Sequence, residues 1–149
     1  MSKSDGGLRT LFRQKFPDFF FQSIEVGTVG RGVPDSHFLA PGGTAGWIEY
    51  KATLTTKVPL RPEQVAWIDR YGRLGGRAFV AVRRAHPGGP RRGDPLDELY
   101  VFAAKDVVQL AREGVLLTPC VARCEGNVRR WDWDKVRAAL LTQTSPSNV

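Results

Sequence analysis

The chain has 149 residues, 42% of them hydrophobic and 25% charged. That length and balance exclude a chain disordered throughout and fit one domain, residues 1–149, able to bury a core of its own. Lysine and arginine total 22 against 15 acidic residues, a net charge of +7, and residues 1–84 carry +6 of it; an excess gathered in one half points to a polyanionic partner, usually nucleic acid.

Residues 1–16 lack the apolar stretch of a secretory leader. No run approaches the length of a membrane span, so no membrane association is expected. Two cysteines, Cys120 and Cys124, are too few for a disulfide framework, and a cytoplasmic protein is expected. There is no internal repeat. Residues 5–16 read as a helix, with Leu8, Leu11, Phe12 and Phe16 at helical spacing and Pro17 as its stop. Residues 19–26 read as a strand, and 27–32 as a glycine-containing turn. A second strand is expected over 33–39, with Pro34 marking its start or an edge, and a third over 46–52. A helix follows over 62–74, with Pro62 and Glu63 in its first turn and Gly72, Gly75 and Gly76 at its end. Residues 77–82 read as a buried strand and 85–97 as an exposed loop. The rest reads as a strand (98–103), a helix (104–113), a strand (115–121), a helix (133–142) and a disordered tail (143–149). Helix, three strands, helix, strand is a mixed α/β order.

Side chains two apart on a strand share a face. Glu49 and Lys51 therefore project together, and Ile48 and Tyr50 project the other way, toward the core. A charged pair on an otherwise apolar strand is costly unless solvated or paired, so it marks a cleft wall or an edge. Asp35 sits at one end of the preceding strand, a glycine-rich turn away. If these two strands form a hairpin, Asp35 and Glu49 come close, and two carboxylates there need a counter-charge. Mg²⁺ or Mn²⁺ would supply it. Lys51 beside the ion would orient water or stabilise developing negative charge. Those are the parts that hydrolyse a phosphodiester.

Pro34-Asp35 followed by Glu49-Tyr50-Lys51 resembles the signature of the PD-(D/E)XK nuclease superfamily. Glu25, residues 30–35 (Gly-Arg-Gly-Val-Pro-Asp), 47–51 (Trp-Ile-Glu-Tyr-Lys) and 60–67 (Leu-Arg-Pro-Glu-Gln-Val-Ala-Trp) look like the small phage VRR-NUC-type endonucleases, which are similar to Holliday-junction resolvases. The resemblance covers residues 8–84. It implies a restriction-endonuclease-like αβββαβ core with a mixed sheet flanked by helices, plus a C-terminal α/β extension over 98–142. It implies a Mg²⁺-dependent DNA endonuclease, with Mn²⁺ able to substitute, selective for branched or junction DNA in phage replication, recombination or repair. Asp35 and Glu49 would be metal ligands together with the Tyr50 carbonyl. Lys51 would be the catalytic lysine, Glu25 an upstream acid acting on the metal through water, and Gln64 a residue pointing into the site. Many relatives carry the upstream acid in the first helix, where this chain has only Asp5. A homodimer would allow both strands to be cut.

Blander readings stand beside these. Glu49 and Lys51 can be a surface pair, Gln64 a helix-surface residue, and Glu25 a solvated strand residue. His37, two after Asp35, is a bystander on the common pattern, and His86 an exposed loop residue. Two cysteines without a nearby histidine make a poor zinc site. Trp131 and Trp133 can stack on bases or pack on the last helix. Arg83-Arg84 and Arg91-Arg92 can meet phosphates or solvent. The rival function is an inactive nuclease-fold module that binds nucleic acid.

Overall fold

The computed structural model describes residues 4–25, 31–86 and 96–142. Helix α1 (Leu8–Lys15) starts later than expected, with Gly7 (φ 78°) at its N-cap and Asp5 in the turn before it. The Asp5 carboxylate accepts the Gly7 N–H at 2.9 Å and the Arg9 N–H at 3.3 Å, satisfying donors that a helix start leaves open. Strands β1 (Phe20–Ser23), β2 (Ser36–Leu39) and β3 (Ala45–Thr53) follow as an antiparallel meander. Helix α2 (Pro62–Arg73) crosses over to β4 (Ala78–His86), which runs parallel to β3. Strand β5 (Leu96–Ala103) pairs antiparallel with β4, and β6 (Ala122–Cys124) with β5.

The fold is α/β, a six-stranded mixed sheet in the order β1-β2-β3-β4-β5-β6 with helices against it. One face is covered by α1 and by α4 (Trp133–Leu141), which bury Leu8, Phe12, Val136 and Leu140 against Ile48, Tyr50 and Val101. The other is covered by α2 and by α3 (Val107–Glu113), which bury Ile68, Val107 and Leu110 against Val80, Val82 and Phe102. The last third of the chain thus continues the same sheet and supplies one helix to each face. Among the described residues no helix is long and apolar enough to cross a membrane.

Most differences from the predicted elements lie after residue 82. Strand β4 continues to His86, which pairs with Leu96, so His86 is a half-buried strand residue and not an exposed loop residue. Residues 87–95, and with them Arg91 and Arg92, lie outside the described residues, as do 26–30 and the tail 143–149. The helix expected from 104 opens as a 3₁₀ turn (Ala104–Asp106) before α3. The strand expected over 115–121 forms instead at β6. Gly114 (φ 86°) turns the chain, the Val115 N–H bonds Thr56 O at 2.8 Å, and the Thr118 hydroxyl bonds Gly114 O at 2.7 Å. These bonds fold the apolar run into a turn and leave Leu116 and Leu117 on the surface.

Asp132 begins α4 by accepting the Lys135 N–H at 3.1 Å. Asp132→Ala should cost about 1 kcal/mol, read as a lower urea midpoint with an unchanged slope.

Candidate active site

The last β2–β3 pair is Ser36 with Ile48. One step further along that register, Asp35 falls opposite Glu49, and the Asp35 carboxylate accepts the Tyr50 N–H at 2.9 Å. Beyond Ile48 this edge of β3 has no strand partner among the described residues. Asp35 takes the Tyr50 N–H, and Ser4 O takes the Ala52 N–H at 3.2 Å. A strand residue's N–H and C=O leave on the same edge, so the Tyr50 carbonyl lies on the edge that Asp35 occupies. The Tyr50 side chain points the other way, into the core against Phe12.

Glu49 is only 2% exposed. Its Oε2 accepts a hydrogen bond from Gln64 Nε2 at 3.1 Å and lies 3.4 Å from Lys51 Nζ. Its Oε1 is buried with no hydrogen-bond partner. Gln64, itself buried, sits in the first turn of α2, where its Oε1 accepts the Arg61 N–H at 3.0 Å. One amide therefore fixes both the helix start, as the acceptor arm of a capping box, and the Glu49 carboxylate. Gly32 (φ 90°) brings the segment before Asp35 hard against that turn. A Cβ there would stand 2.3 Å from the Glu63 carbonyl oxygen, so only glycine fits.

Burial raises the Glu49 carboxyl from its ordinary value of 4.5 to about 7. The negative charge of Asp35 adds to the rise, and Lys51 offsets only part of it. Asp35 in turn has Arg9 Nη2 at 3.6 Å. The resulting cleft, about 630 Å³, is lined by Asp5, Arg9, Asp35, Glu49, Lys51 and Gln64, with Arg61 and the Tyr50 backbone at its wall. Arg9 escaped the sequence reading, and Asp5 was noted there only as the lone acid of the first helix. Their signal is local: the Asp5 carboxylate holds the N–H of an arginine four positions on, and that arginine reaches Asp35.

Other expected residues are placed elsewhere. Glu25 is exposed beyond the end of β1 and does not line the cleft, although the neighbouring Ile24 N–H bonds Asp35 O at 2.8 Å. His37 shares the Asp35 face but packs edge-on against Trp47, with ring centroids 5.0 Å apart. Arg83 binds both oxygens of Asp97 at 2.9 and 2.8 Å, and Arg84 pairs with Glu98 at 3.2 Å. Those two arginines hold β4 to β5 and are engaged within the protein. Trp131 is buried, its indole N–H on Asp97 O at 3.2 Å, and Trp133 packs on Phe12 and Phe16. Cys120 is exposed and Cys124 buried, both as free thiols.

Among the described residues no three His, Cys, Asp or Glu side chains converge as a metal cluster. Mg²⁺ does not demand one. It keeps several waters and binds through one or two carboxylates. Two carboxylates that feel each other's charge, one buried oxygen without a partner and a backbone carbonyl on a free edge form a donor set that fits it. The chain matches no family model, no curated protein and no solved structure. What the cleft can do therefore has to be judged from its chemistry.

Proposed function

We propose that the protein is a metal-dependent DNA endonuclease with a PD-(D/E)XK-type site in a restriction-endonuclease-like core, acting on branched or junction DNA. The observation that carries this is Glu49: an acid buried beside a second acid, raised to about 7, with one oxygen unmatched and a lysine at 3.4 Å. Burying such a group costs stability unless a cation or proton offsets it, and a module that merely binds nucleic acid has no use for it.

Asp35, Glu49 and the Tyr50 carbonyl would hold Mg²⁺, with Mn²⁺ as a substitute. Such an ion, when bound, places positive charge on the scissile phosphate and acidifies water. The chain's own groups do the rest. Gln64 and Lys51 hold the Glu49 carboxylate from one side, so it cannot swing away. The Lys51 ammonium stabilises negative charge developing on the phosphate and orients the attacking water. Arg9 and Arg61, at the cleft wall, supply charge for the neighbouring phosphates. Nothing in the cleft assigns a part to Glu25.

Incubation with branched, flapped and linear DNA tests the proposal. Cleavage is expected with Mg²⁺ or Mn²⁺ and none in chelator, and binding should weaken steeply with salt. A protein that binds these DNAs and cuts none of them with either metal is not a nuclease.

A further inference from the structure

On the face that carries Asp35 and Glu49, four rings form an unbroken row. His37 meets Trp47 at 5.0 Å, Trp47 meets Trp67 at 5.5 Å, and Trp67 stacks on Tyr71 at 4.9 Å with planes 11° apart. All four are only partly buried. Beyond them no described residue covers this face of the sheet. Phe20 and Leu39, cross-strand partners on the same face, are 57% and 41% exposed. Strands β1 to β3 thus make the floor of a shelf and α2 makes its wall.

The shelf adjoins the cleft on both elements. Trp47 precedes Glu49 by two residues on β3, and Trp67 follows Gln64 by about one turn on α2. Arg31 and Arg70 are exposed at its margin: Arg31 precedes Gly32, which packs against the first turn of α2 and Trp67, and Arg70 lies three residues beyond Trp67. We propose that this shelf binds unpaired nucleotides of a DNA arm next to the scissile phosphate, bases stacked on the rings and phosphates met by the arginines. Every base has a π-face, so such a shelf selects single strands without reading sequence. A second copy of the chain would suit the aliphatic corner at Leu39, but not a row of aromatic rings edged with arginine beside a phosphate cleft. The proposal rests on the nuclease reading for the position of the cut, and the binding itself is measured without cutting.

The test is anisotropy of a labelled oligothymidylate, a flapped duplex and a blunt duplex in chelator, followed by cleavage of the same DNAs in Mg²⁺. Trp47→Leu should weaken oligothymidylate and flap binding about tenfold, Trp47→Phe should restore most of it, and blunt-duplex affinity should not change. His37→Ala, a smaller change on β2, should lower single-strand affinity in the same direction and covers the case in which Trp47→Leu does not fold. Unchanged single-strand affinity in both variants, or an equal loss on blunt duplex, overturns the shelf while wild-type cleavage leaves the nuclease standing. Loss of stacking with no cleavage of any DNA sinks the nuclease and keeps the shelf. A change of sedimenting mass in Trp47→Leu makes this face a contact between copies and overturns the proposal.

Discussion

Glu49→Gln should bind DNA as the wild type does yet cut it about 10²–10³-fold more slowly. The substitution keeps the side chain's shape. Its carbonyl oxygen can still accept from Gln64 Nε2, now made at 3.1 Å, and its amide N–H can face Asp35. What disappears is the negative charge that would hold a divalent ion. Asp35→Asn makes the same test from the other side, because an amide oxygen can keep the Tyr50 N–H that Asp35 accepts at 2.9 Å. Lys51→Met keeps the apolar stem and removes the ammonium, and a loss of the same order is expected in kcat with DNA affinity little changed. Single-turnover cleavage at saturating enzyme, beside affinity measured in chelator, separates the two effects. Variants that cut as fast as the wild type would place the chemistry elsewhere.

The same carboxyl should make the metal-free protein lose stability as pH rises. In the folded protein Glu49 titrates near 7 instead of 4.5, so the folded state holds its proton more tightly than the unfolded chain. Below about 4.5 both states are protonated and the group costs nothing. Between 4.5 and 7 the unfolded chain ionises first, and the cost grows. Above 7 it reaches its limit, on the order of 3 kcal/mol. Glu49→Gln should remove this slope and raise the urea midpoint at pH 8 most. Mg²⁺ should flatten the slope of the wild type, because a cation favours the ionised pair. Urea titrations from pH 5 to 8, with chelator and with Mg²⁺, check it. A wild type whose slope matches that of Glu49→Gln would mean that Glu49 is not the strained group.

Alternation and an expected hairpin brought the candidate residues together. Asp35 and Glu49 follow from two strands joined by a glycine turn and from the period of two that sends Glu49 and Lys51 to one side, and the register Ser36 with Ile48 bears out the hairpin that joins them. Gln64 was marked only by the resemblance, as a residue pointing into the site. That its amide spans Arg61 and Glu49 depends on how α2 lies over β3, which no local spacing contains. Arg9 and Asp5 depend on α1 docking beside the open edge of β3, a contact between residues far apart in sequence. The turn at 114–118 was misread for a related reason. Val115 favours a strand, but its N–H donates to Thr56 O and the Thr118 hydroxyl donates to Gly114 O, and these bonds override that preference. The arginines of β4 were misjudged because their partners, Asp97 and Glu98, lie on β5 beyond the loop.

The unpaired edge of β3 has a consequence for how the chain behaves among its copies. An exposed row of backbone donors and acceptors is a template on which another chain can add a strand, the first step of aggregation. Here that row is closed piece by piece, by the Asp35 carboxylate at Tyr50 and by Ser4 O at Ala52. Asp35 is thus a guard against misassembly as well as a candidate ligand. Its removal carries a hazard of insolubility that is separate from any loss of chemistry, and asparagine, which keeps the acceptor, avoids it where alanine does not.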